Sequence, residues 1–208
     1  MRAPVRLRLA SSNAGKLAEY REMAGANGGS HEVELDLVPN FSSLPTFEES
    51  AQTFAENALG KALHYSRLCP GVVFADDSGL IVPALGGAPG VHSARYAGPG
   101  ASDAQKVEKL LEELRAKTAA DRKAYFVCAI AAAEDGRALA VVSDRVDGEI
   151  LTAPRGSAGF GYDPLFLFPP LGKSFAELTR QEKSRESHRG RAFRKLLAWR
   201  DVLCSTAP

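Results

Sequence analysis

The sequence predicts an α/β fold built on a mixed sheet, and three observations carry that prediction. Short apolar-polar alternations recur early in the chain, each followed by residues at helical spacing. Two β-branched or apolar runs flank Glu134-Asp135-Gly136, which is a hairpin signal. Neither an internal repeat nor a low-complexity linker interrupts the pattern, so a single domain over residues 1–208 is expected.

The elements follow in order. Val5–Ala10 alternates apolar and basic residues and predicts a strand; Leu17, Tyr20 and Ala24 then fall at helical spacing, with Gly25 as a stop. His31–Pro39 alternates again and predicts a second strand. Thr53–Leu68 predicts a helix with Phe54, Ala58, Ala62 and Tyr65 on one face. Gly71–Ala75 predicts a short strand that runs into a polar turn, Asp76-Asp77-Ser78-Gly79. Leu85–Gly90 reads as irregular loop. Ser102 with Gln105, and Thr179 with Glu182, have the spacing of capping boxes. The first opens a helix carrying Val107, Leu110, Leu111 and Leu114, and the second opens one C-terminal helix carrying Phe193, Leu196, Leu197 and Leu203.

Bulk properties exclude several classes. A formal net charge of +1 gives no global field for nucleic acid or an anionic membrane surface. No apolar run approaches membrane-spanning length, and Arg6 and Arg8 interrupt any leader-like segment. Cys69, Cys128 and Cys204 stand far apart without metal-ligand spacing, as expected of reduced thiols in a cytoplasmic protein.

Four constellations carry candidate chemistry. Ser11, Ser12, Asn13 and Lys16 sit between a strand end and a helix start, where free backbone N–H groups and a lysine suit an anion. An ordinary N-cap with a solvated lysine fits the same residues. Asp76 and Asp77 are adjacent carboxylates that repel each other, which suits a divalent cation as well as it suits an Asp-rich turn. Glu48 and Glu49, in the loop just before the Thr53–Leu68 helix, and Glu56 inside it are further acids that could complete such a site or simply suit the helix dipole. Lys183, His188 and Arg189 form a basic set near the C-terminal helix, although a solvated helix face is the commoner reason for such a run. Gly159 to Leu165 places Phe160, Gly161, Tyr162 and Asp163 in a glycine-flanked turn before Pro164. Its two rings either stack on a planar base or pack into the core. Phosphate cradle, metal acids, aromatic platform and basic clamp together make an inventory for a nucleotide.

Six segments in order, ASSNAGKLAE, TFAENALGKA, ADDSGL, LGGAPGVHSARYAG, GFGYDPLF and ELTRQEKSRESHRGRAF, span Leu9 to about Leu197. With them the chain resembles the inosine triphosphate pyrophosphatase (Ham1-like) family in its bacterial form. Ser12 stands where the family's first motif carries a glycine. The resemblance implies an elongated mixed β-sheet flanked by helices, with two lobes around a central cleft, usually in a homodimer. It implies hydrolysis of the deaminated purine nucleoside triphosphates ITP, dITP and XTP to monophosphate and pyrophosphate, with Mg²⁺. By the same resemblance Asp77 is the catalytic acid and a metal ligand, and Glu49 is the other metal carboxylate. Ser11, Ser12, Asn13 and Lys16 hold the triphosphate; Ser78, Phe160, Gly161, Tyr162, Asp163, Lys183, His188 and Arg189 line the nucleoside pocket. A Maf-like pyrophosphatase of other nucleotides and a nucleotide-binding regulator without turnover are the alternatives.

Overall fold

The computed structural model describes residues 5–12, 14–25 and 33–206. Seven strands form one mixed sheet in the order β2-β1-β3-β4-β5-β6-β7. They are β1 (Val5–Leu9), β2 (Val33–Leu37), β3 (Val72–Ile81), β4 (Lys123–Glu134), β5 (Arg137–Ile150), β6 (Phe166–Phe168) and β7 (Lys173–Ser174). The helices are α1 (Ala14–Gly25), α2 (Phe54–Ser66), α3 (Asp103–Glu113), α4 (Arg180–Glu186) and α5 (His188–Thr206). β1 pairs in parallel with β2 and β3, so Leu7 faces Leu35 on one side and Val72 on the other. Parallel neighbours need crossovers, and α1 and α2 supply them. β6 pairs antiparallel with both β5 and β7.

Local sequence explains the ends of these elements. Thr53 caps α2 by accepting from the Glu56 amide, and both capping boxes read from the sequence form as expected. Asp135 and Gly136 join β4 to β5 with φ of 48° and 73°, the left-handed pair that a two-residue hairpin requires.

The chain divides into two compact units. The first comprises Met1–Asp77, Cys128–Asp144 and Arg189–Pro208; the second comprises Ser78–Val127 and Arg145–His188. In the first, Leu7 and Leu9 of β1, Tyr20 of α1, Phe74 of β3 and Phe193 of α5 share one core. The Tyr20 ring meets Phe74 edge-on at 5.2 Å and leans on Phe193 at 4.7 Å. Cys128 is fully buried there, as its apolar run implied. In the second, Phe126, Phe166 and Phe175 cluster with ring centroids 4.6–5.8 Å apart, and Leu110 of α3 and Leu114 at its C-cap join that core.

Two expectations need correction. The polar turn expected at Asp76–Gly79 is instead the middle of β3, which runs without a break to Ile81. Side-chain partners satisfy the two aspartates, so the backbone has no need to turn there. The single C-terminal helix is two, because Ser187 is extended (φ −68°, ψ 154°) between α4 and α5. Its amide still donates to the Lys183 carbonyl, closing α4.

Candidate active site

In the first unit the chemistry gathers around β3. Asp76, only 2 % exposed, accepts from Lys16 Nζ on both oxygens, at 3.0 and 3.1 Å. Arg189 Nε reaches the same carboxylate at 3.3 Å, and its Nη1 donates to Glu19 at 3.0 Å. Burial alone would raise the Asp76 carboxyl; Lys16, Arg189 and Lys61 outweigh it and hold the group well below the ordinary carboxylate range. Three cations therefore keep Asp76 ionised, which makes it an organiser of Lys16 and Arg189.

Asp77, the next residue along the strand, is held differently. Asn57 of α2 donates to its Oδ2 at 2.9 Å, and the Asn57 carbonyl oxygen accepts from the Ala51 amide at 2.9 Å. One buried amide side chain thus fixes both the carboxylate and the loop that carries Glu49. Glu49 pairs with Lys61, whose Nζ also donates to the Asp76 carbonyl at 3.2 Å. Burial pushes the Asp77 carboxyl up to about 6; Asn57 and Lys61 pull it down, while the charges of Glu49 and Asp76 push it up. A half-buried acid beside a second carboxylate and a lysine is a poor stability element and a good reactive one. Of the three candidate glutamates, Glu49 faces Lys61, Glu48 is exposed, and Glu56 serves the Thr53 cap.

Ser11 and Ser12 lie between β1 and α1, with the Ser11 amide donating to the Leu9 carbonyl at 3.0 Å. Asn13 lies outside the described residues. Lys16 follows in the first turn of α1, where the helix dipole also favours an anion.

The second unit holds the aromatic turn. Gly159 (φ +80°) and Gly161 (φ +61°) both take left-handed backbone, which explains the spacing of glycines around Phe160. At Gly159 a Cβ would fall 2.1 Å from Asp163 Oδ2, so only glycine fits. That oxygen accepts from the Phe160 amide at 2.9 Å and from Lys183 Nζ at 2.6 Å, and Asp163 is 4 % exposed. Lys183 Nζ also lies 4.8 Å from the Phe160 ring centroid.

The structure separates the two rings that sequence left equivalent. Phe160 is 48 % exposed, whereas Tyr162 is 3 % exposed and belongs to the core, with its hydroxyl donating to the Ser93 carbonyl at 3.0 Å. Tyr162 therefore presents no ring for stacking and instead anchors the turn. His188 is buried as well, stacked on Phe126 at 4.7 Å with an interplanar angle of 10°. Ser78 sits in β3, directly after Asp77, as the first residue of the second unit.

Sequence reasoning missed Lys61, Asn57 and Glu19. A lone lysine or asparagine inside an amphipathic helix has no signature of its own, and the carboxylate or cation partners lie far off in the chain: Asp77 is 20 residues from Asn57, and Arg189 is 170 from Glu19.

Among the described residues no group of three or more His, Cys, Asp or Glu side chains is gathered for a metal, and no helix is long and apolar enough to cross a membrane. The donor set nevertheless suits Mg²⁺, which takes one or two carboxylates and completes its shell with water and substrate phosphate. Asp77 and Glu49 would supply the carboxylates, and a cation there would offset the burial, and with it the neighbouring negative charge, that raises Asp77.

Comparison with known proteins identifies the family. The family model described as Ham1 family matches residues 7–199. A dITP/XTP pyrophosphatase of Geobacillus kaustophilus is 47 % identical over 196 residues, covering 94 % of each chain. Its namesake in Gloeobacter violaceus is 50 % identical over 190 residues, covering 91 % of each. The solved HAM1 protein of Coxiella burnetii superposes with a TM-score of 0.84 at 42 % identity, over 97 % of this chain and 100 % of that one. With six ordered motifs, a mixed seven-stranded sheet and relatives matched nearly end to end, the chain belongs to the Ham1 family.

Proposed function

We propose that this protein hydrolyses ITP, dITP and XTP to the nucleoside monophosphate and pyrophosphate, clearing deaminated purines from the nucleotide pool of the cytoplasm, as a homodimer. The observation that carries the proposal is the β3 cluster. A reactive carboxylate, Asp77, stands beside Glu49 and Lys61, next to an aspartate that organises Lys16 and Arg189. The names of the relatives support the substrate class.

Each residue set takes one part of the substrate. Lys16, Lys61 and the amides at the start of α1 neutralise triphosphate oxygens, whose charge grows as pyrophosphate leaves. Asp77 orients the attacking water toward the α-phosphorus and accepts its proton. Asp77 and Glu49 would hold a Mg²⁺, which would supply charge neutralisation and water activation. Phe160 stacks on the base, with Lys183 and Asp163 fixing the ring and its backbone.

Selectivity follows from donor chemistry. Hypoxanthine and xanthine carry a 6-oxo acceptor, and adenine carries a 6-amino donor. Donors such as Lys183, Arg189 or the backbone at His188 satisfy the first, whereas the amino group of the second finds no acceptor there, at about 1–3 kcal/mol. Guanine shares the 6-oxo group, so its 2-amino group must be the point of exclusion. Pyrophosphate detection over a nucleotide panel, with and without Mg²⁺, tests the proposal. Release from ITP and XTP with Mg²⁺ alone is the expected result; equal kcat/KM for ITP, GTP and ATP, or no turnover of any, rejects it.

A further inference from the structure

The turn that carries Phe160 is gripped at two consecutive amides. The Phe160 amide donates to Asp163 Oδ2 at 2.9 Å, and the Gly161 amide donates to Asp103 Oδ2 at 2.6 Å. Each carboxylate is paired with its own lysine: Asp163 with Lys183 at 2.6 Å, and Asp103 with Lys106 at 2.5 Å. The two grips differ in kind. Asp163 belongs to the turn itself, three residues on from Phe160. Asp103 belongs to α3, 58 residues away in sequence, just after the Ser102 cap.

The turn needs an outside grip. Gly159 and Gly161 both take positive φ, and glycine has the widest choice of backbone states to lose. Tyr162 is fixed in the core on one side, yet Phe160 keeps its ring 48 % exposed. An exposed ring on a glycine-flanked backbone binds a planar ligand weakly if it must be ordered at the moment of binding. Holding both amides that flank the Phe160 carbonyl removes that ordering beforehand.

We infer that Asp103 is a positioning residue for the aromatic shelf: its carboxylate, braced by Lys106, holds the Gly161 amide and so fixes the Phe160 ring in a stacking orientation for the purine. The inference rests on the reading of Phe160 as the base platform. It gives α3, which carries no residue of the nucleoside set, a direct effect on substrate affinity and none on the chemical step.

Steady-state kinetics with ITP test it on four variants. Asp103→Ser keeps a good first-turn helix residue and is too short to reach Gly161; it raises KM about fivefold and leaves kcat within about twofold, the split expected for lost ground-state binding. Asp103→Asn retains an oxygen acceptor for the amide and restores KM to within about twofold of wild type. Ser102→Ala weakens the start of α3 without touching the turn and leaves KM unchanged. Phe160→Ala raises KM at least as much as Asp103→Ser. Amide hydrogen exchange on the unmodified protein adds a direct reading: the Gly161 amide is protected, and it loses about tenfold of that protection in Asp103→Ser.

An unchanged KM in Asp103→Ser alongside a raised KM in Phe160→Ala overturns the role of Asp103 and leaves the platform standing. An unchanged KM in Phe160→Ala removes the platform and the inference with it. An equal KM rise in Ser102→Ala, or an unprotected Gly161 amide in the native protein, also overturns it.

Discussion

Asp77→Asn separates stability from activity in a way this site makes quantitative. The folded protein raises the Asp77 carboxyl to about 6 from an ordinary 3.8, a difference of about two pKa units. Each unit is worth about 1.4 kcal/mol, so ionising Asp77 costs the folded state at most about 3 kcal/mol above pH 6. Partial exposure of the carboxyl reduces this to about 1–2 kcal/mol. The folded value lies above the unfolded one, so the native state binds the proton more tightly. Stability from this group is full below about pH 4 and is lost as pH rises through about 6. Asparagine carries no charge, and its oxygen still accepts from Asn57 Nδ2 in place of Asp77 Oδ2. In metal-free buffer Asp77→Asn is therefore more stable than wild type at about pH 8, by about 2–8 °C in Tm. At about pH 5 the advantage falls to about half, because the unfolded chain is already ionised there while the native carboxyl is mostly protonated. Millimolar Mg²⁺ raises the Tm of wild type and not of the variant. Turnover of ITP is lost in the variant. A variant less stable than wild type at pH 8, or one that keeps most of its kcat, refutes the reasoning.

Three further outcomes follow from the same geometry. Lys183→Met leaves Asp163 buried without its cation and destabilises the protein by about 2–4 kcal/mol by urea denaturation, while raising KM for ITP. Gly159→Ala forces a side chain against Asp163 Oδ2 at a positive φ, and is expected to cost about 1–3 kcal/mol in thermal melts together with most of the activity. Arg189→Lys preserves the charge near Asp76 and removes the fixed guanidinium fork, so the ratio of kcat/KM for ITP over ATP falls about tenfold, read from parallel pyrophosphate assays.

Much of the fold was legible because its signals are local. Glu134-Asp135-Gly136 signalled a hairpin, and the two capping boxes named their own helix starts. Gly159 and Gly161 marked a turn around Phe160, and both take positive φ. What stayed hidden depends on distant partners. Asp76 and Asp77 read as a turn because turn propensity is local, whereas Lys16 lies 60 residues from Asp76 and Arg189 lies 113 residues from it. Those cations let two adjacent acids occupy the interior of a strand. Tyr162 and Phe160 look alike in sequence, but Tyr162 packs into the second core with its hydroxyl on the Ser93 carbonyl, 69 residues away. The break at Ser187 was concealed by a continuous run of helix-forming residues, with no glycine or proline to mark it before Gly190.

The proposed chemistry requires water to attack the α-phosphorus, with the bond to pyrophosphate breaking. Hydrolysis of ITP in oxygen-18 water, followed by mass spectrometry of both products, reads that step directly. The label is expected in the inosine monophosphate and absent from the pyrophosphate. Label in pyrophosphate, or release of orthophosphate with a nucleoside diphosphate, contradicts the account.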